Sequence, residues 1–473
     1  MSFVCCLSMP ALAQTAQPQV GSGGSSYALA AYLDDVKGQH EGLKASRETI
    51  AGAEAKQAEA DIPYATSIFA NSQAAWDKRE TANPASLGDY TRQQGASAGL
   101  SKLWDTGTVT KLSYGITQTQ IEGANPLFLP TDHFYTAGPT VELSQPLWRN
   151  AGGSEARAGR DLVLAQSSLT QFQEAFKTKL TMAESELAYW RLVLSRETVS
   201  AQRQSLDRFQ KLRAWNAKRV SDALADKADL LQADAAVKGK QLELQMALDE
   251  ERSAARAFNL GRGKDSDQVT ESLVNIDDRL VESIAPPRYK DKREDVKAAE
   301  QAARLAEAGL RMGEQKYTPT LEVFGTAGLN GRDDNFGTAT KESFQSTNPL
   351  FTVGLKLVAP LDGDPFSRAK SAYARDKVAA EYSARRRETE ATQQYKDLLA
   401  QFGDAKSRFK LSESIETAQR EKLEHERQRH RVGRTTTYQV LLFEQDFATS
   451  QLARIRTQAD VMRISAQLNT FGG

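Results

Sequence analysis

Residues 351–361 read FTVGLKLVAPL, and their alternation governs how the rest of the chain is read. Phe351, Val353, Leu355, Leu357, Ala359 and Leu361 share one face of an extended chain, with Thr352, Gly354 and Lys356 on the other. A second stretch, 135–147, sets Tyr135, Ala137, Val141, Leu143 and Leu147 against Thr136, Gly138, Thr140, Glu142 and Ser144. A soluble antiparallel sheet alternates in the same way, so the pattern alone leaves both settings open. Length favours the membrane: about ten residues is what a tilted strand needs to cross a bilayer.

Around these strands lie segments of a different kind. The composition is charge-balanced, with 61 Lys+Arg and 61 Asp+Glu in 473 residues, so nothing advertises a nucleic-acid partner. Mean hydropathy is −0.54, and no run of about 18 apolar residues exists, which excludes a helical membrane protein but not a β-barrel. Residues 1–13 read as a signal peptide, with FVCCLSMPALA ending in Ala11-Leu12-Ala13, and 14–26 as a flexible linker containing VGSGGSS. Cys5 and Cys6 fall within that leader. The mature chain is then cysteine-free, without a disulfide framework, a cysteine-ligated zinc or a thiol nucleophile.

The remainder is predicted to follow one plan twice. The first repeat spans 27–262: a helix, strands at about 61–147, then long helices at about 153–260. A polar linker, 263–287, leads to the second repeat at 288–473: a helix, strands at 319–361 and long helices at 365–470. Tyr135-Thr136-x-Gly138 followed by Pro146-Leu147 is echoed by Phe351-Thr352-x-Gly354 followed by Pro360-Leu361. Two proline-free helices of some 64 to 66 residues would each be about 100 Å long, more than a compact domain of this mass accommodates. In the last helix Ala448, Leu452, Ile455, Ala459, Met462 and Ala466 keep coiled-coil spacing, while Phe443, Phe447, Ile464 and Leu468 form a second apolar face. The fold class is therefore mainly α with a β portion. Stiff helices with two partner faces, joined to membrane-length strands, point to three copies sharing one assembly.

These residues together resemble the TolC-like outer membrane efflux proteins. Gln145-Pro146-Leu147-Trp148-Arg149-Asn150-Ala151-Gly152 is similar to the approach into that family's first long helix, and Ala188-Tyr189-Trp190-Arg191-Leu192 to its helical signature. Asp229-Leu230-Leu231-Gln232-Ala233 and Val432-Gly433-Arg434-Thr435-Thr436-Thr437 resemble segments at its two helical turns. The resemblance implies a homotrimer: a β-barrel in the outer membrane lipid, a long α-barrel in the periplasm, and no enzyme activity or cofactor. It implies a passive duct for efflux or type I secretion, with a periplasmic adaptor and an inner-membrane transporter as partners. It also implies a tip and gate at Asp229, Gly433, Arg434, Thr435 and Gln439. Gln439 and Leu442 stand where the family favours carboxylates, and Arg434 is one position from its usual tip arginine, where Thr435 stands. A thinner acidic ring should hold cations at the entrance more weakly. The family has four barrel strands per chain and twelve per trimer; here ASAGLSKLWDTGTVTKLSYGITQTQ at 96–120 reads as an additional hairpin about Asp105-Thr106-Gly107. That hairpin either adds barrel strands or forms an external loop.

Other features have plainer explanations. HERQRHR at 425–431 mimics a zinc-protease motif, but His425 and His430 are five positions apart and point about 140° away from each other on a helix. No metal site is expected, and both histidines read as a solvated helix end. Asp362-Gly363-Asp364-Pro365 suits a strand-to-helix turn rather than a calcium loop. Trp104 and Trp148 sit at strand ends, where interfacial aromatics anchor barrels. The alternative function is a soluble periplasmic coiled-coil adaptor or scaffold.

Overall fold

A computed structural model describes residues 27–80, 88–224, 226–274, 276, 278–289, 291–345, 347–361 and 363–472. The predicted leader and the linker at 14–26 lie outside the described residues, as does Asp362. In chain order come helices α1 (Leu29–Gln39) and α2 (Glu41–Lys56), strands β1 (Ser67–Asp77), β2 (Tyr90–Leu103), β3 (Val109–Glu122) and β4 (His133–Pro146). Helices α3 (Ser154–Ser221), α4 (Lys227–Gly261), α5 (Asp278–Ser283) and α6 (Glu294–Lys316) follow. The chain continues through β5 (Thr320–Leu329), β6 (Gly331–Asp333), α7 (Phe336–Glu342), β7 (Pro349–Val358), α8 (Gly363–Arg431) and α9 (Thr437–Asn469).

The chain divides into two compact units, each drawn from both halves of the sequence: residues 1–40, 185–284 and 405–463 in one, and 41–184, 285–404 and 464–473 in the other. The second unit holds the sheet. Its strand order is β1-β2-β3-β4-β5-β7, with β6 also paired to β4, and every pairing is antiparallel. Directly opposed residues share a face, so the register defines two surfaces. One carries Ile68 of β1, Leu100 of β2, Leu112 of β3, Val141 and Leu143 of β4, and Phe351, Val353, Leu355 and Leu357 of β7. All nine are exposed, Ile68 and Val353 at 81%. The other surface carries Ser97, Ser113, Thr140, Glu142, Thr326, Thr352 and Lys356, with Lys111 pairing Glu142 at 3.4 Å.

At one end of the sheet the strands connect to helices, and the β2–β3 turn is tight. Trp104 N–H donates to the Thr108 carbonyl and Gly107 N–H to the Trp104 carbonyl, both at 2.8 Å, with Gly107 at φ 79°. This turn nests against the start of α3. A Cβ on Gly153 would lie 1.9 Å from the Asp105 carbonyl oxygen, so glycine is required there. Asn150 caps α3, its side-chain oxygen accepting from the N–H of Glu155 and Ala156 at 3.0 and 3.1 Å. At the opposite end the connections are longer. There α7, a short helix absent from the sequence reading of 319–361, folds back over the apolar surface: Phe344 stacks on Tyr114 at 5.7 Å and Phe336 meets Tyr135 edge-on.

The first unit is helical and densely packed. Tyr32, Tyr189 and Phe258 are fully buried together, with Phe258 stacked on Tyr32 at 4.3 Å and Arg262 over the Phe258 ring at 4.6 Å. The Tyr189 hydroxyl donates to the Tyr27 carbonyl at 2.7 Å. Parts of 263–287, the predicted linker or equatorial segment, pack here: Tyr27 N–H donates to the Ser272 carbonyl, Arg262 pairs with Glu271 at 2.7 Å, and Ile276 and Val281 are buried. Along the part of α9 in this unit, Ala448, Ile455 and Met462 of one predicted apolar face and Phe447 of the other are buried.

Candidate functional site at the paired helical turns

The two reversals of the first unit, α3 into α4 and α8 into α9, are built alike. Helix α3 ends at Ser221 and α4 begins at Lys227; α8 ends at Arg431 and α9 begins at Thr437. Both turns span five positions between their helices. Leu224 N–H bonds the Arg219 carbonyl and Ala223 N–H the Val220 carbonyl. In the other turn Arg434 N–H bonds the Arg429 carbonyl and Gly433 N–H the His430 carbonyl. Both are Schellman closures, which need a left-handed residue at their centre. Ala223 at φ 57° and Gly433 at φ 73° occupy that place. Arg219 then donates to the Leu224 carbonyl and Arg429 to the Arg434 carbonyl, at 2.9 and 3.3 Å. The next helices are capped by Asp226, which accepts from Ala228 N–H at 2.9 Å, and by Thr436, which accepts from Gln439 N–H at 3.3 Å.

The sequence-predicted residues occupy this pair of turns. Asp229 is half-buried in the first turn of α4, and Gln439 is its counterpart in the first turn of α9. Gly433 and Arg434 are exposed, while Thr435 and Gln439 are half-buried. Trp104 and Trp148 belong to the second unit, both exposed at the end of the sheet nearest its helices, with the Trp104 indole donating to Thr110 at 3.0 Å. The hydrogen-bond pattern also isolates Ala223 as strained. An L-residue with a side chain held left-handed costs about 1–2 kcal/mol, whereas glycine there costs only its chain entropy. Ala223→Gly is therefore expected to raise stability by about 0.5–1 kcal/mol. Gly433→Val is expected to lower it by about 1–2 kcal/mol through backbone strain alone, since a Cβ at Gly433 meets nothing within 4 Å. Denaturant midpoints of the two variants check both signs.

Behind the turns lies a polar cluster that sequence reading missed. His430, read as solvated, is only 5% exposed: its ring packs against Trp215 at 4.1 Å. His425 is exposed, on another face of α8. Glu444 of α9, 2% exposed, is clasped by Arg208 of α3 and Arg427 of α8, each Nε at 2.9 Å. Thr437 donates to the Asn216 side chain at 2.9 Å, and Arg213 pairs with Asp234 at 2.7 Å. Nothing local marks these residues; they meet only when α3, α4, α8 and α9 are packed together. Burial, with a contribution from Arg219, holds the His430 pKa below its ordinary 6.5, while Asp229 and Glu426 oppose the shift. In the window between the folded and unfolded values the unfolded chain binds the proton and the folded chain does not. Stability contributed here is thus full above pH 6.5 and falls as pH drops below it. Acidification is expected to loosen the turns, read as faster amide exchange over 424–440, and His430→Gln should flatten that response.

The outer membrane efflux protein family matches residues 285–473. No curated protein matches the sequence. Among solved structures, the outer membrane protein VceC from Vibrio cholerae has a TM-score of 0.68 at 14% identity, over 94% of this chain and 96% of that one. The Campylobacter jejuni CmeC outer membrane channel has a TM-score of 0.67 at 12% identity, over 98% and 93%. The Neisseria gonorrhoeae MtrE outer membrane channel, in its open state, has a TM-score of 0.67 at 13% identity, over 94% and 89%. Residues 285–473 thus match the outer membrane efflux protein family, and the chain as a whole has the fold of these outer membrane channels.

Proposed function

We propose that three copies of this chain form a passive exit duct for efflux, closing one shared barrel with their sheets and one shared tube with their long helices. The duct receives cargo from an inner-membrane transporter through a periplasmic adaptor, which docks on the paired turns around Asp229, Gly433, Arg434, Thr435 and Gln439. The observation that carries the reading is the sheet, one surface of which presents nine exposed apolar side chains from Ile68 of β1 to Leu357 of β7, while Ser97, Ser113, Thr140, Glu142, Thr326, Thr352 and Lys356 lie on the other. In water an apolar patch of that extent would aggregate. In lipid it is the outside of a wall whose polar side lines a channel, which favours the duct over a soluble adaptor. A passive role rather than catalysis is also what the match to efflux proteins supports.

Reconstitution of the folded protein into a planar bilayer tests the reading. Discrete conductance steps are expected; a folded, inserted protein that passes no current would refute the duct. Gly433→Val is expected to insert normally yet to capture the adaptor less well, because its strain is confined to the turn.

A further inference from the structure

The β2–β3 hairpin is the part of this chain that the twelve-stranded family plan does not contain. We propose that the hairpin is part of the membrane wall, so that each copy supplies six long strands and a three-copy barrel has eighteen. The three-copy element rests on the function proposed above; the six-strand element rests on this sheet alone.

Three observations carry it. First, the hairpin is not appended to the sheet but inserted in it: β2 pairs with β1 from Ser67↔Ser101 to Asp77↔Thr91, and β3 pairs with β4 from Val109↔Ser144 to Gln120↔His133. Removing it would leave β1 without any partner in the chain. Second, the hairpin obeys the same in–out alternation as its neighbours. Leu100 and Leu112 are opposed, as are Ala98 and Tyr114, on the apolar surface shared with Val141 and Val353. Gly99 opposes Ser113, and Ser97 opposes Gly115, on the polar surface. An external loop has no reason to continue an apolar band in register. Third, the connections sort as they do in bacterial barrels, with tight turns on the periplasmic side and long loops outside. The β2–β3 turn lies at the helix end of the sheet, locked against Asn150 and Gly153, whereas the longer connection 123–132 lies at the other end.

The two outer strands set the rule for closure. Strand β1 runs away from the helices and β7 runs toward them, so β7 of one copy meets β1 of the next antiparallel. Their lengths match, at 11 and 10 residues. In hydrocarbon their free N–H and C=O groups must be paired, so the ring closes on whole sheets of six strands. At about 4.8 Å between strands and a tilt near 40°, eighteen strands close at a backbone radius of about 18 Å, against about 12 Å for twelve. The outer membrane section would be about 1.5-fold wider, in the range that leaves an open aqueous lumen.

Single cysteines introduced on a Cys5→Ser, Cys6→Ser background test the wall directly, using the full chain in lipid vesicles and a membrane-impermeant maleimide. Ser97→Cys and Ser113→Cys are expected to react about tenfold faster than Ala98→Cys and Leu112→Cys, as lumen-facing and lipid-facing positions of a barrel should. Thr352→Cys and Val353→Cys on β7 are the controls. If the β7 pair alternates and the hairpin positions all react alike, the hairpin is outside the wall and the proposal falls while the duct stands. If the β7 pair does not alternate either, the duct reading itself fails and takes the proposal with it. Counting strands in an electron microscopy map gives the second reading. Eighteen supports the proposal, and twelve, whether from three copies with four strands or two with six, overturns it.

Discussion

Phe258→Ala is expected to cost about 3–5 kcal/mol, the range for emptying an aromatic site in a packed core. The cost should lie near the top of that range, because the site cannot collapse. Phe258 is fully buried and stacked on Tyr32 at 4.3 Å, with Tyr189 at 6.1 Å and the Arg262 guanidinium at 4.6 Å. Its neighbours are themselves pinned. The Tyr32 hydroxyl donates to the Phe258 carbonyl at 3.2 Å, and Tyr189 is held by the Tyr27 carbonyl. Burial raises the Tyr32 pKa, so its neutral hydroxyl is kept throughout the ordinary pH range. Truncation would leave a cavity beneath a buried guanidinium that has lost the nearer of its two rings. The measurement is the denaturant midpoint of the full-length protein in detergent, followed by helical circular dichroism. Phe258→Leu, which retains most of the volume, should recover more than half of the loss.

Glu444→Ala is the second large effect, expected at about 3 kcal/mol. A single carboxylate, 2% exposed, sits between two guanidinium groups on two other helices. Deleting it leaves Arg208, 14% exposed, without its carboxylate and Arg427, 30% exposed, with the longer contact to Glu424 at 3.7 Å, so the two guanidinium groups repel. The pair itself adds little net stability, since desolvation offsets most of its attraction. The prediction therefore separates two variants. Glu444→Ala should be strongly destabilising, and the triple replacement of Glu444, Arg208 and Arg427 by Leu, Met and Met should recover most of the loss. If the triple variant is as unstable as the single one, the charges are not the source. Local opening of the turns, read by proteolysis near 424–440, should increase in the single variant.

Much of the architecture was legible before any coordinates. The alternation in 351–361 and 135–147 placed β7 and β4, because a strand in contact with two media writes its pattern residue by residue. Proline-free stretches and the breaks near 220–225 and at Gly433 placed the long helices to within a few residues, because breakers and capping residues act locally. The hairpin about Asp105-Thr106-Gly107 was equally visible, but whether its strands joined the sheet was not. That depended on pairing with β1 and β4, which lie outside the hairpin.

The site was less legible. Gly433 announced its turn, since glycine is the residue that a left-handed closure selects. Ala223 gave no such notice, and the symmetry of the two turns rests on backbone bonds that no side chain encodes. His430 was misjudged for a related reason. Its own helix is highly charged around it, and only Trp215, 215 positions earlier in another helix, removes it from water. Glu444 was similarly silent, one acidic residue among 61. What the sequence determined by itself are the properties set within a few residues: the periods of 2 and 3.6, the turns and the duplicated plan. What only the tertiary structure decided is which charges are buried and which strands are neighbours, because burial and pairing belong to residues brought together from distant parts of the chain.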